Sequence, residues 1–174
     1  GSEVTGVVHA SYAAVKKHDS LSMARFQALE SAAYSEVERL NEFVPLRKVV
    51  KTQLGVRDTI GEAPYFQVSE LASDIIDIVR TAGSGRKDRP RSAKYAKLVE
   101  EPALLVARVG GALKPTIFDP ANGPIAIGSN VFAFRVDTNL VDIRYLALEL
   151  RSGAVQDQIN AYSTGTGISA VSKA

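Results

Sequence analysis

The 174-residue chain has no cysteine, no tryptophan and a single methionine, and its two histidines, His9 and His18, both fall within the first twenty residues. Without thiols there is no disulfide framework, no thiolate metal site and no cysteine nucleophile. Two histidines near one end leave little material for a zinc site or a histidine base. Apolar runs stop well short of the roughly 18–20 residues that a bilayer span requires. Gly1-Ser2 reads as a cloning remnant. The residues after it lack the charged and apolar regions of a signal peptide, so a cytoplasmic location is expected. Nucleotide signatures are missing too. Residues 83–89 (GSGRKDR) lack the G-x-x-x-x-G-K-[ST] spacing of a P-loop. Val109-Gly110-Gly111-Ala112 follows a strand pattern but lacks the third glycine of a dinucleotide site and runs into Lys114-Pro115, which opposes a helix. No cofactor is expected.

Catalytic groups are equally scarce. Asp119-Pro120-Ala121-Asn122 departs from the Asn/Asp-Pro-Pro-Tyr/Phe pattern with which amino-methyltransferases hold a flipped base. Asp74 and Asp77 are three residues apart, on one face of an expected short helix, but no Glu-x-Lys pair follows on a strand. They read as a solvated helix face rather than a nuclease metal site. Asp137 and Asp142 most simply flank a turn and cap the last helix. Neither a catalytic residue nor a metal ligand is assigned.

What the chain does have is an ordinary globular composition, 45% hydrophobic and 23% charged, with an uneven distribution of charge. Its net charge is +2, yet Arg80 to Lys97 holds seven basic residues (Arg80, Arg86, Lys87, Arg89, Arg91, Lys94 and Lys97) against Asp88 alone. That is +6 in eighteen residues, leaving −4 for the rest. Such a concentration suits a polyanion. The plain alternative is a solvated loop whose charges keep the protein in solution.

Residues 1–44 read as a tail and an amphipathic helix. Phe26, Leu29, Ala33, Val37, Leu40 and Val44 share one helical stripe, Asp19 or Ser20 suits its cap, and Pro45 stops it. From residue 45 the texture changes to short apolar runs bounded by glycine and proline. Strands are expected at 49–50, 65–68, 103–109, 115–118, 125–127 and 131–136. A short helix is expected over 68–79, with Ser69 as cap and Leu71, Ile75, Ile76 and Val79 on one side. A longer one is expected over 142–162, with Leu146, Leu150, Val155 and Ile159 as its buried edge and Gly153 dividing it. Strands at intervals of about ten residues, mostly without helices between them, predict an α/β (α+β) domain. Its sheet should be curved and mixed or antiparallel, with flanking helices. Residues 163–167 (STGTG) could form a phosphate nest or simply a turn.

The order of features over 102–172 is distinctive. A strand ending Leu104-Leu105-Val106-Ala107-Arg108-Val109-Gly110 is followed by Lys114-Pro115-Thr116. Then come Ser129-Asn130-Val131-Phe132-Ala133-Phe134-Arg135, residues 145–153 (YLALELRSG), Gln156-Asp157-Gln158-Ile159 and Gly165-Thr166-Gly167-Ile168-Ser169. With residues 64–71 (PYFQVSEL) as an early strand and helix start, residues 45–174 resemble the target-recognition domain of type I restriction–modification specificity subunits. The resemblance implies long loops that enter the DNA major groove. It implies an adenine methyltransferase subunit, or a fused methyltransferase domain, as partner, and in a full system a translocase/nuclease subunit. On this reading the chain recognises double-stranded DNA and is not itself an enzyme. The candidate DNA-binding residues are Arg80, Arg86, Lys87, Arg89, Arg91 and Lys94 in the basic loop. Arg108, Lys114, Ser129 and Asn130 join them near strand ends, where Ser129 and Asn130 could equally be turn formers and Arg108 a structural ion-pair residue. The alternative is a protein-interaction module of similar fold that does not read DNA and uses the Phe26–Val44 stripe.

Overall fold

A computed structural model describes residues 46–56 and 60–162. The stripe from Phe26 to Val44 and the glycines at 163–167 lie outside the described residues. The chain is of the α+β class expected, and its strands form two mixed sheets. In chain order the elements are α1 (Leu46–Val49), β1 (Val50–Gln53), β2 (Tyr65–Phe66), β3 (Val79–Arg80), β4 (Lys97–Val99), β5 (Ala103–Ala107), β6 (Thr116–Phe118), β7 (Ile125–Ile127), β8 (Val131–Val136), α2 (Ile143–Glu149) and α3 (Gly153–Tyr162). The larger sheet has the order β1-β8-β5-β6-β3 and is antiparallel except for β3 beside β6. The smaller has the order β2-β7-β4, with β2 parallel to β7.

The side-chain alternation of a strand explains how these pieces stack. Along β5, Ala103, Leu105 and Ala107 join Val131 and Ala133 of β8 in one buried cluster with Phe66, Val99, Ile125 and Ile127 of the smaller sheet. Leu104 and Val106 point the other way, into a cluster with Ile117, Val136 and the α2 residues Leu146, Ala147 and Leu150. The larger sheet is therefore covered on both faces, and every residue of β5 is buried. On the outer face of the smaller sheet, Tyr65 and Ala126 are covered by Ala63, Ala93 and Ala96. Ala93 belongs to a 3-10 turn, Arg91–Tyr95, inside the basic segment.

The C-terminal helices follow the sequence closely. Asp142 caps α2 by accepting from the N–H groups of Arg144 and Tyr145, and the chain breaks before Gly153 to start α3. Leu146 and Leu150 are buried with Val155 packed against their cluster, and Ile159 is buried as well. The helix expected over 68–79 is absent. Only Val68–Glu70 makes a 3-10 turn, and its cap is Gln67 rather than Ser69, with the Glu70 carboxylate accepting from the Gln67 N–H at 2.8 Å. Beyond it, Asp74 Oδ1 accepts from the Ile76 and Asp77 N–H groups, a local turn that competes with helix. Val79 and Arg80 pair with β6 instead, and Ile76 is 92% exposed rather than on a buried stripe with Leu71.

Candidate nucleic-acid interface

The basic segment does not behave as one free loop. Arg80 lies in β3, where its guanidinium forms an ion pair with Asp77 and donates to the Asp77 carbonyl at 2.6 Å and the Glu70 carbonyl at 3.3 Å. It holds its own neighbourhood together. After the 3-10 turn Ala82–Ser84, Gly85 passes so close to β2 that a Cβ there would stand 2.6 Å from Pro64 Cβ and 2.8 Å from Phe66 Cε2. The glycine is thus used for close packing, not for following a groove. Arg86 then exchanges two backbone hydrogen bonds with Tyr65, at 2.8 and 2.9 Å, adding a bridge to the outer side of β2.

Three of the remaining cations are partly engaged. The Arg86 guanidinium meets the Asp88 carboxylate at 2.8 Å, and this bond raises the arginine pKa and holds Asp88 below the usual carboxylate value. Arg89 donates to the Ala63 carbonyl at 2.9 Å. Lys94 lies 4.8 Å from the Tyr95 ring centre, a cation–π contact that leaves its charge in solvent. Lys87 and Arg91 are exposed, and their side chains make no hydrogen bond or ion pair among the described residues. Lys87, Arg91 and Lys94 are the charges most accessible to a polyanion.

The second group of candidates gathers at one end of the sheets. The Arg108 N–H, just past β5, donates to the Asn130 carbonyl at 2.8 Å, tying the β5 exit to the turn that carries Ser129 and Asn130. Arg108, Ser129 and Asn130 are all exposed, and the Arg108 side chain has no ion-pair partner among the described residues. The connection from β5 to β6 turns through Gly110 and Gly111 at φ of 97° and 76°, with no helix after them. Lys114 also takes a positive φ of 46°, and its Nζ donates to the Val68 carbonyl at 2.8 Å. That bond fastens the β5–β6 connection to the turn after β2.

Between these pieces opens a cleft of about 270 Å³ lined by Tyr65, Gln67, Ser69, Val109, Ser129 and Asn130, among others. The structure therefore brings Ser129 and Asn130 to one cleft, with Arg108 beside Val109, Lys114 bonded to Val68 and Arg86 paired with Tyr65. Arg80, Arg89, Arg91 and Lys94 do not line it. Sequence reasoning missed Tyr65, Gln67 and Ser69. The one signal that pointed to them was the polar Gln67 and Ser69 closing an otherwise apolar strand pattern. Among the described residues no three His, Asp or Glu side chains are placed to hold a metal ion, and no helix is long and apolar enough to cross a membrane. No protein-family model matches the chain, and no curated protein is significantly similar to it.

Proposed function

We propose that this chain recognises double-stranded DNA sequence-specifically, as the non-catalytic specificity module of a type I-like restriction–modification system. The observation that carries the reading is the net +6 of residues 80–97, whose middle part lies against the smaller sheet with Lys87, Arg91 and Lys94 exposed to solvent. Phosphate contacts from such a surface supply salt-sensitive affinity, and base contacts supply specificity. Its partners would be an adenine methyltransferase subunit or fused domain and, in a complete system, a translocase/nuclease. The order of motifs over 102–172 supports that assignment. The protein would work in the cytoplasm.

The test is binding to a random duplex at several salt concentrations, comparing wild type with the triple variant Lys87→Ala, Arg91→Ala, Lys94→Ala. Each phosphate that is no longer neutralised lowers the slope of log affinity against log salt by about 0.9, so the triple variant loses up to about 2.7. Arg80 and Arg89 stay in place because their side chains also bond the fold, and Arg86 because its guanidinium is already paired with Asp88. An unchanged slope in a folded variant makes the run a solvated surface. A second reading, a protein-docking module, is favoured by one observation: Tyr145 and Leu148 lie three residues apart on α2 and are 59% and 47% exposed. It predicts no DNA binding at any salt.

A further inference from the structure

Tyr65 is 2% exposed, which ordinarily obliges a phenol oxygen to find a partner. Its hydroxyl has no hydrogen-bond partner among the described residues, and Arg151 Nε is the one fully enclosed polar side-chain atom left unpaired among them. Tyr65 is nonetheless one of the residues that line the cleft. Gly128 keeps that position open. A Cβ at residue 128 would stand 2.6 Å from the hydroxyl, and the Gly128 φ is not positive, so the backbone alone does not demand glycine there. Asn130 also lines the cleft; its carbonyl accepts from the Arg108 N–H, while its exposed side-chain amide makes no bond among the described residues.

None of the lining residues is charged; Arg108 adjoins Val109 in the chain, Lys114 donates to the Val68 carbonyl and Arg86 bridges Tyr65. A hydroxyl and an amide each donate and accept. Together they suit a neutral planar edge bearing both functions, whereas a phosphate, which only accepts, is better served by the flanking cations. The volume of about 270 Å³ lies below the range of roughly 300–1,000 Å³ that encloses whole small molecules. It admits an edge. We infer that this cleft reads one base, adenine by preference, through the Asn130 amide and the Tyr65 hydroxyl, with Gly128 leaving room beside that hydroxyl. The inference rests on the DNA reading above and assigns a base-reading role to residues outside the basic run. Asparagine matches the adenine N6 and N7 pair.

The experiment is enrichment from a randomised duplex pool by wild type, Asn130→Ala, Asn130→Asp and Tyr65→Phe, with random-duplex affinity and thermal melting measured in parallel. The wild-type motif should contain an A·T position whose preference falls about 5- to 150-fold in Asn130→Ala. Tyr65→Phe should weaken the same position by less, and Asn130→Asp, which keeps a turn-forming residue but loses the donor, should move it away from adenine. Random-duplex affinity should be unchanged. So should the melting temperature of Tyr65→Phe, because its hydroxyl holds nothing in the fold. Variants that enrich the wild-type motif unaltered overturn the cleft assignment and leave the DNA reading standing. A uniform loss on random duplex also overturns it, by making the cleft a phosphate site. A wild type that enriches no motif overturns the DNA reading itself, and this inference with it.

Discussion

An alanine at position 128 would place its Cβ 2.6 Å from the Tyr65 hydroxyl and 3.2 Å from ring carbon Cζ, and the enclosed ring has little room to retreat. Gly128→Ala should therefore cost about 1 to 3 kcal/mol, the usual penalty of overpacking. Combining it with Tyr65→Phe should recover part of that loss, since neighbours in contact couple by about 0.5 to 3 kcal/mol. Urea denaturation of the four species measures the coupling, and strict additivity would mean the ring moves aside freely. A second residue-scale outcome concerns Asp88. Hydrogen bonding to Arg86 lowers its pKa, so the paired form is favoured above the ordinary carboxylate value and is lost as pH falls through the lowered folded one. An NMR titration should place the Asp88 midpoint below that of an ordinary aspartate, and Arg86→Ala should return it toward the ordinary value. Both groups are exposed, so the effect on stability should be slight. The Gly128–Tyr65 contact is not legible in the sequence, because it depends on which residues meet across the fold, whereas Arg86 and Asp88 stand only two residues apart in the chain.

Two elements owe their positions to single polar side chains. At the break between α2 and α3, the Arg151 guanidinium donates to the carbonyls of Ala72 at 3.1 Å, Ser73 at 3.3 Å and Pro115 at 3.3 Å. It clamps the helical layer to the bend at 72–73 and to the start of β6. Arg151→Met should cost about 2 to 4 kcal/mol, since bonds to a charged donor are worth roughly 1.5 to 3 kcal/mol each and the freed carbonyls are partly buried. Thr116, fully buried in β6, accepts from the Ala72 N–H at 2.8 Å and donates to the Lys114 carbonyl at 2.9 Å. Thr116→Val should cost about 1 to 3 kcal/mol by stranding that N–H. These tethers explain where sequence reasoning stopped. The strand β5, the turn at Ser129-Asn130 and the capped helix after Asp142 were legible, because periodicity and capping chemistry are local. The segment 68–79 carried an apolar spacing that suited a helix, yet Thr116, Arg151 and β6 recruit its backbone from far along the chain. Strand β4 hid at the end of a charge run.

At the scale of the molecule, the layered core was legible only as an α+β domain. Stacking of two sheets depends on which face each short strand presents, and two-residue strands such as β2 and β3 carry too little pattern to decide it. The charge asymmetry was fully legible, since +6 against −4 is a count along the chain. What the count could not give was the division of labour within it. Arg80 and Arg89 are bonded into the fold by their side chains and Arg86 by its backbone, whereas the Lys87 and Arg91 side chains make no bond among the described residues and Lys94 meets only the Tyr95 ring. Single replacements should accordingly differ in kind. Arg89→Ala should lower the melting temperature as its bond to Ala63 disappears, and Lys87→Ala should change only the salt slope, by about 0.9.

The bridge that Arg86 makes to Tyr65 has a consequence for how copies of the protein behave together. Arg86 satisfies the outer backbone groups of Tyr65, and on the opposite side of the same sheet Val56 bonds Leu98 at 3.2 and 2.9 Å. Each flank of the small sheet is thus occupied by the chain itself. Next to Arg86, the exposed charges of Lys87, Asp88 and Arg89 discourage a foreign strand from adding on. Replacing Arg86 and Lys87 together by valine should leave the backbone bridge possible but make that flank adhesive, and light scattering on gentle heating should rise above wild type. Loss of solubility and loss of DNA affinity would then arise from one stretch of chain, and protein concentration would separate them, because only the first grows with it.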